Sequence, residues 1–107
     1  TPLTGRIGEN LTLEQGKEAA KAVAINVLAT VKETIGSLDK VKRIVKTLGW
    51  VNCTVDFKDQ PKVINGFSEL MAEIFGEDNG VGARSAVSAH TLPGGIPVEI
   101  ECIFELL

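Results

Sequence analysis

Along the first third of the chain, apolar residues recur at Ala20, Val23, Ala24, Val27, Leu28, Val31 and Ile35. This spacing puts them on one stripe of an α-helix. Thr12 and Gln15 stand three residues apart just ahead of the stripe. A hydroxyl and an amide at that separation each take a free backbone N–H of the other's residue, so the pair predicts a helix start at Thr12. Gly36 predicts the end, as a left-handed cap. Full burial of the stripe would contribute on the order of 10 kcal/mol gross, before the entropy of ordering is subtracted. Thr1 to Leu11, with two glycines and a proline, reads as a turn or the tail of a strand.

The period changes after a short link at Leu38-Asp39. Val41 to Val55 is rich in β-branched residues and reads as a strand. Val41, Val45, Val51, Cys53 and Val55 share one parity; Ile44, Leu48 and Trp50 take the other. Two apolar faces predict a central strand covered on both sides. Gly49 marks a bulge or a close backbone approach. Asp59 or Gln60 caps a second helix with Pro61 in its first turn. Its stripe is Val63, Ile64, Phe67, Leu70, Met71, Ile74 and Phe75, and Gly76 stops it. Glu77 to Gly82 reads as a polar, glycine-rich loop, and Arg84 to His90 as a short strand. Leu92-Pro93-Gly94-Gly95 forms a turn, and Val98 to Leu106 a last alternating strand. Val98, Ile100, Cys102 and Phe104 face one way on it; Glu99, Glu101, Ile103 and Glu105 face the other.

The order helix, strand, helix, strand, strand defines an α+β fold. Two helices can cover one face of a sheet. Nothing in the chain remains to cover the other, and another subunit is the simplest cover. The 107 residues make one domain. With aromatics at 5% and hydrophobic residues at 44%, its core must be aliphatic. A net charge of −3 argues against broad binding to a phosphate backbone, so nucleic acid is an unfavoured partner. No stretch nears the roughly 18 apolar residues of a membrane span. Cys53 and Cys102 are isolated and lie in apolar strand patterns. Together with the absence of a secretory signal, this reads as two reduced core thiols in a cytoplasmic protein. The sequons at Asn10 and Asn52 carry no meaning there. An opening Thr1 in place of Met reads as a processed or truncated start.

Candidate chemistry is sparse. A lone His90 and two scattered cysteines give no metal cluster, and there is neither a nucleophile elbow nor a Walker loop. Glu77 and Asp78 make the loop from Gly76 to Gly82 a poor anion cradle. Arg84 is different. Gly80, Gly82 and Ala83 precede it, and Ser85 and Ala86 follow. Small neighbours let a substrate approach the backbone, where a guanidinium can grip a carboxylate through two parallel hydrogen bonds. Glu99 and Glu101 share a strand face, either as a solvated edge or, if a subunit covers them, as acid–base groups.

The run Gly82-Ala83-Arg84-Ser85-Ala86-Val87, followed by Leu92-Pro93 and Val98-Glu99-Ile100-Glu101, resembles the signature of the RidA/YjgF family. Val41 to Lys46 leading into a strand with Trp50, and Asn65 in the second helix, fit as well. The resemblance covers nearly the whole chain. Asp56 to Val63 and Asn65 to Leu70 are similar to a less studied branch. The resemblance implies a chorismate-mutase-like mixed sheet with two helices on one face, a homotrimer, and clefts between subunits. It also implies hydrolysis of reactive enamines and imines, such as 2-aminoacrylate, to a 2-keto acid and ammonia. The partner would be a small imino or keto acid, with no cofactor and no metal.

By the same resemblance, Arg84 holds the substrate carboxylate and Glu99 orients the attacking water. Ala86 stands where many members have Cys and contributes its backbone carbonyl; Asn65 lies near the cleft. The family normally begins with two further strands ending in a Ser-Gly-Gln stretch, and this chain opens just past that point. Residues 1–107 are therefore expected to form a single RidA-like domain lacking the N-terminal strand pair and its cleft tyrosine. A slightly longer loop before Arg84 is expected to reshape the pocket. Two other functions stay open: a non-catalytic trimer that binds small carboxylates, and an endoribonuclease or translation inhibitor.

Overall fold

The computed structural model describes residues 3–107; Thr1 and Pro2, where the predicted opening turn begins, lie outside the described residues. The capping box forms as expected. The Thr12 hydroxyl accepts from the Gln15 N–H at 3.1 Å, and Gln15 Oε1 accepts from the Thr12 N–H at 2.9 Å. These bonds open α1 (Leu13–Ile35), and Gly36 closes it at φ +90°. Only one edge of the stripe is buried, along Ala20, Ala24 and Leu28. Val23, Val27 and Val31 instead line an open groove of about 510 Å³ against Ile100, Cys102 and Phe104. The gross stabilisation expected from the stripe is thus realised only in part.

The remaining elements are β1 (Val41–Asn52), α2 (Gln60–Phe75), α3 (Glu77–Gly80), β2 (Ala83–Ala89) and β3 (Val98–Leu106). The sheet order is β2-β1-β3. β2 runs parallel to β1 and β3 antiparallel to it. The sheet is therefore mixed, and the helices pack on one face. β1, α2 and β2 form a βαβ unit, in which the helix supplies the crossover that two parallel strands require. The core joins Ile7, Ala20, Ala24, Leu28, Ile44, Val51, Val63, Ile64, Phe67, Met71 and Val98.

Several expectations need correction. β1 ends at Asn52, before the expected Val55. Cys53 makes only an isolated bridge to Ile7, and the chain then turns as the Phe57 N–H donates to the Thr54 carbonyl. Val55 is left fully exposed. Strict alternation along β1 also fails. Register shifts fall between Val41 and Arg43 and between Ile44 and Lys46. Each extra residue turns the following side chains over. The buried positions are Val41, Ile44, Thr47, Gly49, Val51 and Asn52, and Val45 is only partly buried. Gly49 is a close approach: a Cβ there would strike the Ile64 side chain of α2. Residues 77–80, expected as loop, wind one helical turn because Gly80 packs on the Met71 and Ala72 backbone. Asp59 takes the N-cap position of α2 without a side-chain cap bond.

The segment before α1 contributes more than a turn. Ile7 is fully buried; its N–H donates to the Asn52 carbonyl at 2.9 Å, and its carbonyl accepts from the Thr54 N–H at 3.0 Å. Asn52 is itself buried, with Nδ2 donating to the carbonyls of Gly5 and Ile96. α1 and α2 cross at Gly66, where a Cβ would run into the Lys17 carbonyl oxygen. A backbone atom cannot swing aside, so Gly66→Ala must part the helices. It should cost about 1–3 kcal/mol in denaturant unfolding, and an unchanged midpoint would show that the crossing has slack.

At the far end of the sheet, Arg43 Nε donates to Glu105 Oε1 at 2.6 Å across β1 and β3. That bond, with Lys42 adding a weaker charge, holds the Glu105 carboxyl below its ordinary value. A carboxyl with a lowered folded-state value stabilises the fold above the unfolded value and loses the effect as pH falls through the folded one. In Arg43→Ala, Glu105 should titrate higher by carbon-detected NMR. The stability gap between the two proteins should close in acid; a gap that persists there would assign it to packing.

Candidate functional site

The site begins at the junction of α3 and β2. Gly82 lies so close to β1 that a Cβ would meet the carbonyl oxygens of Ile44 and Val45. This close approach sets the chain into the sheet edge and starts the parallel ladder at Lys46–Ala83, so Arg84 falls opposite Thr47. Thr47 is buried on the helix side, and the Arg84 side chain leans toward α2. Its Nη1 donates to Asn65 Oδ1 at 2.7 Å and to Ser68 Oγ at 3.2 Å. Asn65 and Ser68 stand three apart and share one face of α2. The other guanidinium nitrogens make no hydrogen bond among the described residues. Arg84 is thus an exposed, oriented cation with part of its fork open. Ala86, two residues on, pairs with Gly49 and packs against the core.

Of the residues proposed from sequence, Arg84 and Asn65 are in contact, and Ala86 is on the same face of the same strand. Glu99 is not with them. It pairs with Trp50 on β3, and Glu101 pairs with Leu48. Trp50 and Leu48 belong to the parity opposite Thr47 and Gly49, so both glutamates point to the face without helices. β1 also separates β3 from β2, which puts about 10 Å between those strands. One chain cannot bring Arg84 and Glu99 to a common ligand. The helix-free face that carries Glu99 also presents Leu48, Trp50, Val87 and Ile103, the last two 41% and 54% exposed. Ser68 was missed by sequence reading, although its three-residue spacing from Asn65 was a usable signal.

Behind the glutamates, Cys102 faces α1. Burial, with a smaller push from Glu101, raises its thiol above the ordinary value, so it stays protonated at neutral pH. Both cysteines are free. No group of three or more His, Cys, Asp or Glu among the described residues could hold a metal ion. No helix among them is long and apolar enough to cross a membrane.

Comparison with known proteins agrees with this architecture. The chain belongs to the family described as "YjgF/chorismate mutase-like, putative endoribonuclease", which matches residues 2–106. Protein TCP17 of Trypanosoma cruzi is 41% identical over 104 residues, which are 97% of this chain and 65% of that protein. A crystal structure of a protein of unknown function from Agrobacterium tumefaciens superposes with a TM-score of 0.93 at 39% identity, over 97% of this chain and 66% of that one. Another, of a "putative endoribonuclease" from Shewanella oneidensis, gives 0.90 at 26% identity, over 96% of this chain and 68% of that one. The chain therefore spans about two thirds of the length of these relatives.

Proposed function

We propose that this chain hydrolyses reactive imines and enamines of small 2-keto acids, such as 2-aminoacrylate, in the cytoplasm. The observation that carries this reading is the Arg84 fork, fixed by Asn65 and Ser68 on one nitrogen and open on the rest. A planar fork held in one orientation suits a carboxylate, and fixing the substrate there lowers the entropic part of the barrier. In this reading a neighbouring copy supplies Glu99, because the two residues lie on opposite faces of one sheet. A homotrimer that covers Leu48, Trp50, Val87 and Ile103 belongs to the same proposal.

The chemistry asks little of the protein. 2-Aminoacrylate tautomerises to 2-iminopropanoate, whose protonated C=N carbon is already electrophilic. Water adds to that carbon as Glu99 takes its proton, and the C=N pair moves onto nitrogen. Glu99 hands that proton to nitrogen, and the C–N bond breaks as the carbinolamine hydroxyl gives its own proton to the freed Glu99 carboxylate and the C=O bond forms. The departing ammonia takes this second proton from Glu99, so pyruvate and ammonium leave and the carboxylate is restored. The backbone carbonyl of Ala86 would accept from the substrate N–H. Neither a cofactor nor a metal is called for.

The name endoribonuclease, carried by the family and by the Shewanella protein, favours a second reading, RNA cleavage. A net charge of −3 weighs against it, since backbone binding needs a basic face.

Arg84→Ala should lower keto-acid release from enzymatically generated 2-aminoacrylate by about 100-fold or more without shifting the melting transition. Arg84→Lys should recover only part, because an ammonium lacks the fork. Equal release with and without Arg84 would refute the assignment. Binding of 2-ketobutyrate without turnover would make the chain a carboxylate-binding protein instead. Cleavage of RNA by metal-free, repurified protein would favour the nuclease.

A further inference from the structure

A second cation sits apart from Arg84, at the carboxyl ends of the parallel strands β1 and β2. Here a cleft of about 470 Å³ is lined by Arg6, Cys53, Thr54, Val55, Ser88, Ala89 and His90. Arg6 reaches it from the segment before α1, and Nη2 donates to the His90 carbonyl at 2.5 Å. No carboxylate lies within ion-pair distance of its guanidinium among the described residues. No acidic residue among them lines the cleft. In a chain of net charge −3, a cation without a counter-charge, grouped with an imidazole and two hydroxyls, is a local reversal of the prevailing sign.

The donor set points to a tetrahedral oxyanion. The Arg6 fork has nitrogens to spare, the imidazole of His90 can donate, and the hydroxyls of Ser88 and Thr54 can each donate to a different oxygen. A carboxylate offers only two oxygens in one plane, whereas a phosphate offers three terminal ones. The volume lies within the range of small-molecule sites and exceeds what a bare phosphate fills. Val55, Cys53 and Ala89 also line the cleft and offer apolar contact to an organic body. Crevices outside the carboxyl ends of parallel strands are where such ligands commonly sit. Ser88 lies four residues beyond Arg84 on β2, about 13 Å along the strand. One small keto acid cannot span both.

We propose that this cleft is a binding site for a small phosphate monoester, separate from the Arg84 site. His90 is the only histidine in the chain, so its ring protons report on the cleft without ambiguity. In proton NMR at constant pH and ionic strength, phenyl phosphate should shift those signals in a saturable way. It should do so at concentrations at least tenfold below those required of inorganic phosphate or acetate. Arg6→Ala should abolish the shift. Ser88→Asp should abolish it too, by placing a carboxylate on an exposed strand position of the same cleft, where it repels the phosphate and occupies the Arg6 fork; it keeps Arg6 in place and so covers the case in which Arg6→Ala perturbs the fold. Arg84→Ala should lose imine hydrolysis and keep the phenyl phosphate response. The proposal fails if phenyl phosphate causes no saturable shift, or if the shift survives Ser88→Asp. It also fails if acetate acts equally well, which would mean general screening, or if Arg84→Ala removes the response, which would place the ligand at the other site.

Discussion

The placement of Arg84 and Glu99 follows from the pairing register of β1. It is the central strand, and both neighbours take their orientation from it. Thr47, Gly49 and Val51 point into the helices, so Arg84, Ala86 and Ser88 on β2 share that side, as do Cys102, Ile100 and Val98 on β3. Leu48 and Trp50 point away, and so do Glu101 and Glu99 across from them. Because side chains alternate with period two, a slip of one residue would exchange the two sets. The close contact of Gly49 with Ile64 and of Gly82 with the β1 backbone leaves no room for that slip. Arg84 is thereby committed to α2, where Asn65 and Ser68 receive it, and Glu99 is committed to the open face.

Much of this was legible in the sequence because it depends on local chemistry. Thr12, Gln15 and Gly36 bound α1 through their own hydrogen bonds and backbone preference, and the alternation from Val98 to Leu106 gave β3 its full extent and its inward side. Arg84 and Asn65 were legible through a motif. The failures share a cause, which is dependence on distant contacts. The two bulges in β1 exist only against β3, so parity counted along β1 alone misplaced Val45. Ile7 reads as part of a turn, yet it is fully buried because it bridges Cys53. Val23, Val27 and Val31 have the spacing of core residues, but nothing among the described residues covers their groove. That Arg84 and Glu99 face opposite ways could be learned only from the register of three strands.

Family membership accounts for the architecture, and the relatives extend beyond the span of this chain. What the geometry adds is a reason for association. For the proposed hydrolysis, an exposed arginine oriented by α2 and a carboxylate on a half-apolar open face are each of little use alone. A second copy laid against that face would cover its exposed apolar residues and could bring a Glu99 to an Arg84. The basic cleft at Arg6 and His90 is built differently, from residues of one chain, and does not depend on a second copy.

Complementation between two inactive variants tests that division of labour most directly. Arg84→Ala and Glu99→Gln proteins would each be assayed for imine hydrolysis alone, then after co-refolding in equal amounts. If the site spans two copies, each variant alone should be nearly inactive. The mixture should then recover about a quarter of wild-type activity, the share of boundaries at which an intact arginine meets an intact glutamate on random assembly. Mixed oligomers that form, as shown by mass, yet remain as inactive as their parents would contradict the account.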